Sequence, residues 1–237
     1  MKRSVFIIAV CSLFLNACNN DKPIIEKPKY DNITAYGIDI SHHQDKIIND
    51  LNANDALTFV ICKASEGEDY TDPNFSFNWK HIKIRNLVRG AYHFYHSGDD
   101  PIAQADFYLS KIKNLDEKDL PPILDIEDGG IDGKIKIKDL QKDILQYLQY
   151  IEQKTGRRPM IYTNLHFANK YLDNKEFVKY PLWIAEYSGK EKPDMPKLWR
   201  EKGYSFWQKS QTYTVESKVS DFDVFINTRK ELLNKGF

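Results

Sequence analysis

Asp125 and Glu127 close the stretch "LPPILDIEDGG" at 120–130, an apolar run that otherwise reads as a buried strand. Residues two apart on a strand point to one side, so both carboxylates face the same space. Like charges that close raise one pKa, and apolar surroundings raise it further. One acid then stays protonated near neutral pH beside an ionised neighbour, the division of labour that glycoside hydrolysis needs. Alone the pair carries little weight, because a strand that runs out into solvent also ends in acids.

Its weight comes from what the other strand-like runs end in. "YGIDI" brings Asp39, "LTFVICKAS" brings Lys63 with Glu66 just past it, and "LVRGAYHFY" brings Tyr92 and His93, with His96 beyond. "RPMIYTN" supplies Tyr162, "PLWIAEY" supplies Trp183, Glu186 and Tyr187, "YSFWQK" supplies Trp207 and Gln208, and "SDFDVFI" supplies Asp221 and Asp223. Sugar rings carry apolar C–H faces that stack on indole and phenol rings. Tyr92, Tyr162, Trp183, Tyr187 and Trp207 therefore become candidates for binding a glycan beside the acids, with core packing as the alternative for each. Trp79 and Trp199, in helical or linking stretches, read as structural.

Other chemistries lack their parts. His93 and His96 fall on opposite faces of an extended run, so no metal trio forms with His42 and His43. There is no G-x-S-x-G elbow, and "EDGGIDG" is a turn cluster rather than a phosphate loop. Cys62 lies inside its strand, where a thiol is buried and inert.

The elements that must position these residues alternate. Eight strand-like runs, those quoted with "LPPILDIE" in fourth place, are interleaved with helical stretches at 72–84, 101–112, 137–154 and 165–172. In the third helix Ile144, Leu145, Leu148 and Ile151 keep helical spacing, and Gly156 with Pro159 stops it. Near-continuously apolar strands in alternation with helices indicate an α/β fold with a parallel sheet covered by helices, and eight of them suggest a closed barrel. The connection between Tyr187 and Tyr204 is too short for a full helix, so the barrel is expected to be irregular. In such barrels the site forms at the carboxyl ends of the strands.

The chain is 237 residues long with Lys+Arg and Asp+Glu both at 34 and 41% hydrophobic residues. That suits one sizeable globular domain and offers no basic excess for nucleic acid. "MKRSVFIIAVCSLFLNAC" has a basic start and an apolar core too short to span a bilayer, the pattern of an export signal. It ends in Leu15-Asn16-Ala17-Cys18, which resembles a bacterial lipobox; an ordinary secretory cleavage near Ala17 is the alternative. The expected division is a lipoprotein-type signal at 1–17, a polar tether at 18–34 and a catalytic domain at 35–237. Once the signal has used Cys11 and Cys18, Cys62 has no partner for an internal disulfide.

The blocks "YGIDISHHQ", "FVICKASEGEDYTDP", "VRGAYHFYH", "PPILDIED", "MIYTN", "LWIAEY", "FWQ" and "VSDFDVF", in this order, resemble glycoside hydrolase family 25, the Chalaropsis-type lysozymes. The resemblance runs from about Tyr36 to Ile226. It implies a flattened, irregular TIM-like β/α barrel of about eight mostly parallel strands. It also implies cleavage of the β-1,4 bond between N-acetylmuramic acid and N-acetylglucosamine in peptidoglycan, without cofactor or metal. Glu127 matches the general acid and Asp125 its charge-stabilising partner, while Asp39 and Asp221 match the acids of the first and last blocks. Lys63, Glu66, Tyr92, Tyr162, Trp183, Tyr187, Trp207 and Gln208 are the expected substrate contacts. Cys18 would carry a lipid anchor to an envelope membrane, and the enzyme would work as a monomer on glycan strands. Asp45 and Asn86 stand where the family often has Gly, and Asp223 where it has Asn. Two alternatives stay open: a chitinase-like or endo-N-acetylglucosaminidase hydrolase, whose longer D-x-x-D-x-D-x-E block is broken here by Ile123, and a non-catalytic glycan-binding lipoprotein.

Overall fold

The computed structural model describes residues 34–52 and 55–235. The expected signal, Cys18 and the tether up to residue 33 lie outside the described residues. Nine strands follow in order: β1 (Thr34–Ile40), β2 (Leu57–Glu66), β3 (Tyr70–Thr71), β4 (Val88–Phe94), β5 (Ile123–Asp125), β6 (Met160–Asn164), β7 (Leu182–Ala185), β8 (Phe206–Val215) and β9 (Lys218–Thr228). They are interleaved with α1 (Phe75–Ile84), α2 (Pro101–Lys111), α3 (Ile137–Thr155) and α4 (Leu165–Tyr171), and α5 (Arg229–Lys235) closes the described chain.

The sheet runs β1-β9-β8-β7-β6-β5-β4-β2, and β2 pairs back to β1, so these eight strands close into a barrel with the short β3 on the outer edge of β2. Most seams are parallel, but β9 runs antiparallel to both β8 and β1. The reason is the length of one connection. Only Glu216 and Ser217 separate β8 from β9, and a parallel return needs a dozen or more residues. The eight strands expected from the sequence are the eight that close the barrel, and the four expected helices are α1 to α4. Among the described residues, 3-10 turns take the place of helices between β1 and β2 and between β7 and β8, which makes the barrel irregular.

Side-chain alternation splits the core in two. On β2, Phe59 and Ile61 point into the barrel and Val60 and Cys62 outward, under the helices. Ile123, Met160, Trp183, Phe206 and Phe225 fill the interior with them, the ring of Phe206 lying 5.1 Å from Phe59 and 5.0 Å from Phe225. Gly37 makes room for this plug, since a Cβ there would sit 2.2 Å from the Phe59 ring. In α3, Leu140, Ile144, Tyr147, Leu148 and Ile151 form the buried stripe, and Gly156 ends the helix in a left-handed turn at φ 67°. Asp100 caps α2 through 2.9 Å bonds from the amides of Ile102 and Ala103, with Pro101 in the first turn. Asn86 takes φ 56°, a bend that asparagine tolerates in place of glycine, while Asp45 takes φ 48° with ψ −137°, outside the left-handed helical region.

Candidate active site

The same alternation that fills the barrel lower down delivers polar groups at its carboxyl end. Asp39 follows Gly37 on β1, Asp125 follows Ile123 on β5, Tyr162 follows Met160 on β6 and Gln208 follows Phe206 on β8, each two residues on and on the inward face. Glu127 continues the β5 face past the end of the strand. Together with Asp221, Tyr92, Trp183 and Tyr187 these residues line a cavity of ≈ 280 Å³. A larger depression of ≈ 620 Å³ lies at the opposite end, between Leu51, Leu57, Arg85 and Leu87, but no carboxylate pair faces it. The chemistry belongs to the smaller, acidic cavity.

The backbone around the acid pair is clamped. The Asp125 carbonyl accepts from the Tyr95 amide at 3.0 Å, and the Ile126 amide donates to the Tyr162 carbonyl at 3.0 Å. Just past Glu127, the turn Asp128–Gly130 presses against the end of β4. A Cβ on Gly130 would come within 2.0 Å of the Tyr95 carbonyl oxygen, and the Ser97 amide donates to the Gly130 carbonyl at 2.8 Å.

Burial, then the charge of Glu127, push the Asp125 carboxyl well above the usual carboxylate range, against an opposing pull from Lys63. Burial and then Asp128 raise Glu127 as well, again against Lys63. Asp125 is the more deeply buried of the two and among the described residues its Oδ1 has no hydrogen-bond partner, so the protonated form is favoured there more strongly than at Glu127. The family resemblance implies an ionised Asp125 instead.

Asp39 is held by Gln208. Gln208 Nε2 donates to its Oδ2 at 2.6 Å, and the Gln208 Oε1 accepts from the hydroxyls of Tyr162, at 2.8 Å, and Tyr187. Burial, partly offset by the Gln208 bond and by Asp223, pushes Asp39 up to about 6. Trp183 lies in the floor, edge-on to Tyr162 at 4.5 Å, and its Nε1 donates to Asp223 at 2.8 Å. Tyr187, 44% exposed, stands at the rim.

Three expected contacts fall outside the cavity lining. Lys63 and Glu66 form an ion pair at its flank, with the Lys63 ammonium 5.0 Å from the Phe94 ring centroid and His96 Nε2 2.8 Å from Glu66. Burial raises Glu66, but Lys63 and His96 outweigh it and hold the carboxyl below its ordinary value. Lys63 still acts on the acids through its charge. Trp207 points the other way: it packs in the outer layer and its Nε1 donates to the Glu186 carbonyl at 2.8 Å. Strand alternation forbids Trp207 and Gln208 from sharing a face, so the indole supports the β7–β8 seam instead of touching the cleft. Asn164, Ala185 and Gln211 line the cavity although the sequence did not single them out. Asn164 and Ala185 were open to the same two-residue rule that found Tyr162 and Trp183.

Among the described residues no group of three or more His, Cys, Asp or Glu is arranged to hold a metal ion. A proton-carrying acid pair set beside rings that stack on sugars gives a barrel of this kind the working parts of a glycoside hydrolase. A profile described as "Glycosyl hydrolases family 25" matches residues 38–218. The N,O-diacetylmuramidase of Chalaropsis is 31% identical over 211 residues, covering 84% of this chain and 99% of its own. YegX of Escherichia coli K12 is 34% identical over 206 residues, covering 84% and 72%. The crystal structure of the bacterial lysozyme from Streptomyces coelicolor superposes with a TM-score of 0.77 at 28% identity, over 84% of this chain and 95% of that one. The chain belongs to glycoside hydrolase family 25.

Proposed function

We propose that this protein is an N-acetylmuramidase that cleaves the β-1,4 bond between N-acetylmuramic acid and N-acetylglucosamine in peptidoglycan. The observation that carries this is the convergence of Asp39, Asp125, Glu127 and Asp221 on one cavity with Tyr92, Tyr162, Trp183 and Tyr187. Glu127, at the outer end of the acid pair, protonates the glycosidic oxygen as the bond breaks. Asp125 stabilises the positive charge that develops on the sugar or its acetamido group. An acetamido N–H donated to the bare Asp125 Oδ1 would favour the anion there and leave the pair's proton to Glu127. Asp39 and Asp221 hold polar groups of the sugar and set the field around the pair. Tyr187 and Gln208 bound the sugar's position, and Lys63 with Glu66 tunes the acids from the side.

Digestion of purified peptidoglycan, followed by reduction and sugar analysis, tests the bond. New reducing ends on muramic acid are expected, and ends on glucosamine would instead mean an endo-N-acetylglucosaminidase. Glu127→Gln should lower kcat by about a hundredfold to ten-thousandfold while leaving glycan binding in place. Unchanged lysis would reject Glu127 as the acid, and absence of lysis in the native protein would favour a purely glycan-binding role.

For location, the Leu15-Asn16-Ala17-Cys18 sequence supports export and a lipid anchor on Cys18. Fractionation of cells carrying Cys18→Ala should move the protein out of the membrane fraction. The enzyme is read as a monomer acting on glycan strands.

A further inference from the structure

Asp223 has no place in the mechanism above, yet it is a fully buried acid (0% exposed) beside the cleft. On β9 it lies opposite Gly37 of β1 and Gln208 of β8. Its Oδ1 accepts the Trp183 Nε1 hydrogen at 2.8 Å, while no donor N–H or O–H of the described residues reaches Oδ2. Asp39 lies two residues past Gly37 on the same face of β1. Gln208, the β8 partner of Asp223, donates to the Asp39 carboxyl at 2.6 Å, so the two carboxyl groups meet beside Gln208, where one can hydrogen-bond the other. Two carboxyl groups make such a bond only when one of them carries a proton.

We propose that Asp39 and Asp223 form a proton-sharing carboxyl pair in which Asp223 is a positioning residue, donating its proton to Asp39 and fixing it against Gln208. The inference rests on the muramidase reading of the cleft. Asp39 is then gripped on one side by the Gln208 amide and on the other by the Asp223 hydroxyl, so its carboxylate can neither rotate nor withdraw. The pair brings one negative charge to the cavity instead of two.

The surroundings favour this state. The titratable groups facing the pair are Asp221 on β9, Tyr187 after β7, Tyr92 on β4, Tyr162 on β6 and, toward Asp39, Asp125 on β5 and Glu127 after it. Every one is an acid or a phenol. Among the described residues no lysine, arginine or histidine forms an ion pair with Asp39 or Asp223. Burial, followed by the charges of Asp39 and Asp221, accordingly raises Asp223 well above the usual carboxylate range. An isolated buried carboxylate with a single neutral donor would be strongly disfavoured.

Two variants of the full chain test the pair. Asp223→Asn keeps both functions of a protonated acid, with its carbonyl accepting from Trp183 and its amide donating to Asp39, whereas Asp223→Ala keeps neither. We expect Asp223→Ala to lose roughly tenfold or more in kcat on peptidoglycan, and Asp223→Asn to recover most of that loss. Asparagine as damaging as alanine would overturn the proposal. The second readout is thermal unfolding, which needs no catalysis. A carboxyl raised in the folded state contributes its full stability below the unfolded value of about 4 and loses it as pH rises toward the folded value. The Tm of Asp223→Asn relative to native protein should therefore climb steadily as pH rises above about 4. A flat difference would mean that Asp223 is ionised and the pair does not exist, even if the enzyme cleaves muramic acid bonds. A climbing difference in a protein without lysis would leave the pair standing and reject the muramidase reading alone.

Discussion

Glu127 must be protonated when the glycosidic bond breaks, so activity falls as pH rises through its pKa. That pKa is raised by burial and then by Asp128, and lowered by Lys63. Removing the Asp128 charge should let the pKa drop, moving the alkaline limb of kcat to lower pH; removing the Lys63 charge should move it to higher pH. Asp128→Asn and Lys63→Met are therefore expected to shift the pH profile in opposite directions, each by roughly a few tenths of a unit because one group is exposed and the other already paired with Glu66. Shifts of the same sign would show that neither charge acts through Glu127. From the sequence Asp128 looks like a plain turn residue, and structurally it is one. Its electrostatic reach into the cleft is invisible until Glu127 is placed beside it.

At the scale of elements, the short β5 and its following turn decide where the acids sit. Gly130→Ala drives a methyl into the Tyr95 carbonyl, a backbone atom that cannot swing aside. It should cost about 1–3 kcal/mol of stability and also lower kcat, because the relief available is a shift of the Glu127 segment. Chemical denaturation and kinetics measured together would detect both; normal kcat in a destabilised protein would show that the turn moves without the acid. Most of this level was legible in the sequence. Eight apolar runs and four amphipathic stretches gave the barrel, and the two-residue period located Asp125, Tyr162 and Gln208. The direction of β9 was not legible from periodicity, which is the same for either direction; only the Glu216-Ser217 turn settles it. Trp207 was misplaced because a residue type favoured in sugar sites outweighed the parity of its neighbours. The motif shows Asp223 only as a substitution, since its burial and the approach of Asp39 depend on strands far apart in the chain.

For the whole molecule, the two ends of the barrel do different work. At the end opposite the cleft, Arg89 near the start of β4 binds Asp119 through two bonds of 2.7 and 2.8 Å, stacks 3.9 Å from the Trp79 ring and donates to the Asn114 carbonyl at 3.1 Å. Both members of this pair are buried. Arg89→Ala strands the Asp119 charge and should cost about 3–5 kcal/mol. Below its lowered Tm the variant should retain native kcat, as the loss lies a barrel length from the acids. A large fall in kcat at temperatures where the fold is intact would contradict this separation.

The course of β1 sets how the enzyme faces its surroundings. The strand enters at Thr34, passes up the barrel wall and presents Asp39 near its exit. Whatever holds the polypeptide upstream of Thr34 grips it from behind, on the side away from the mouth. If that hold is a lipid at Cys18, as proposed above, the anchor joins the domain at the end of the barrel away from the catalytic opening. The stretch from Cys18 to Thr34, at most about 55 Å when fully extended, then limits how far from that anchor the domain can stand.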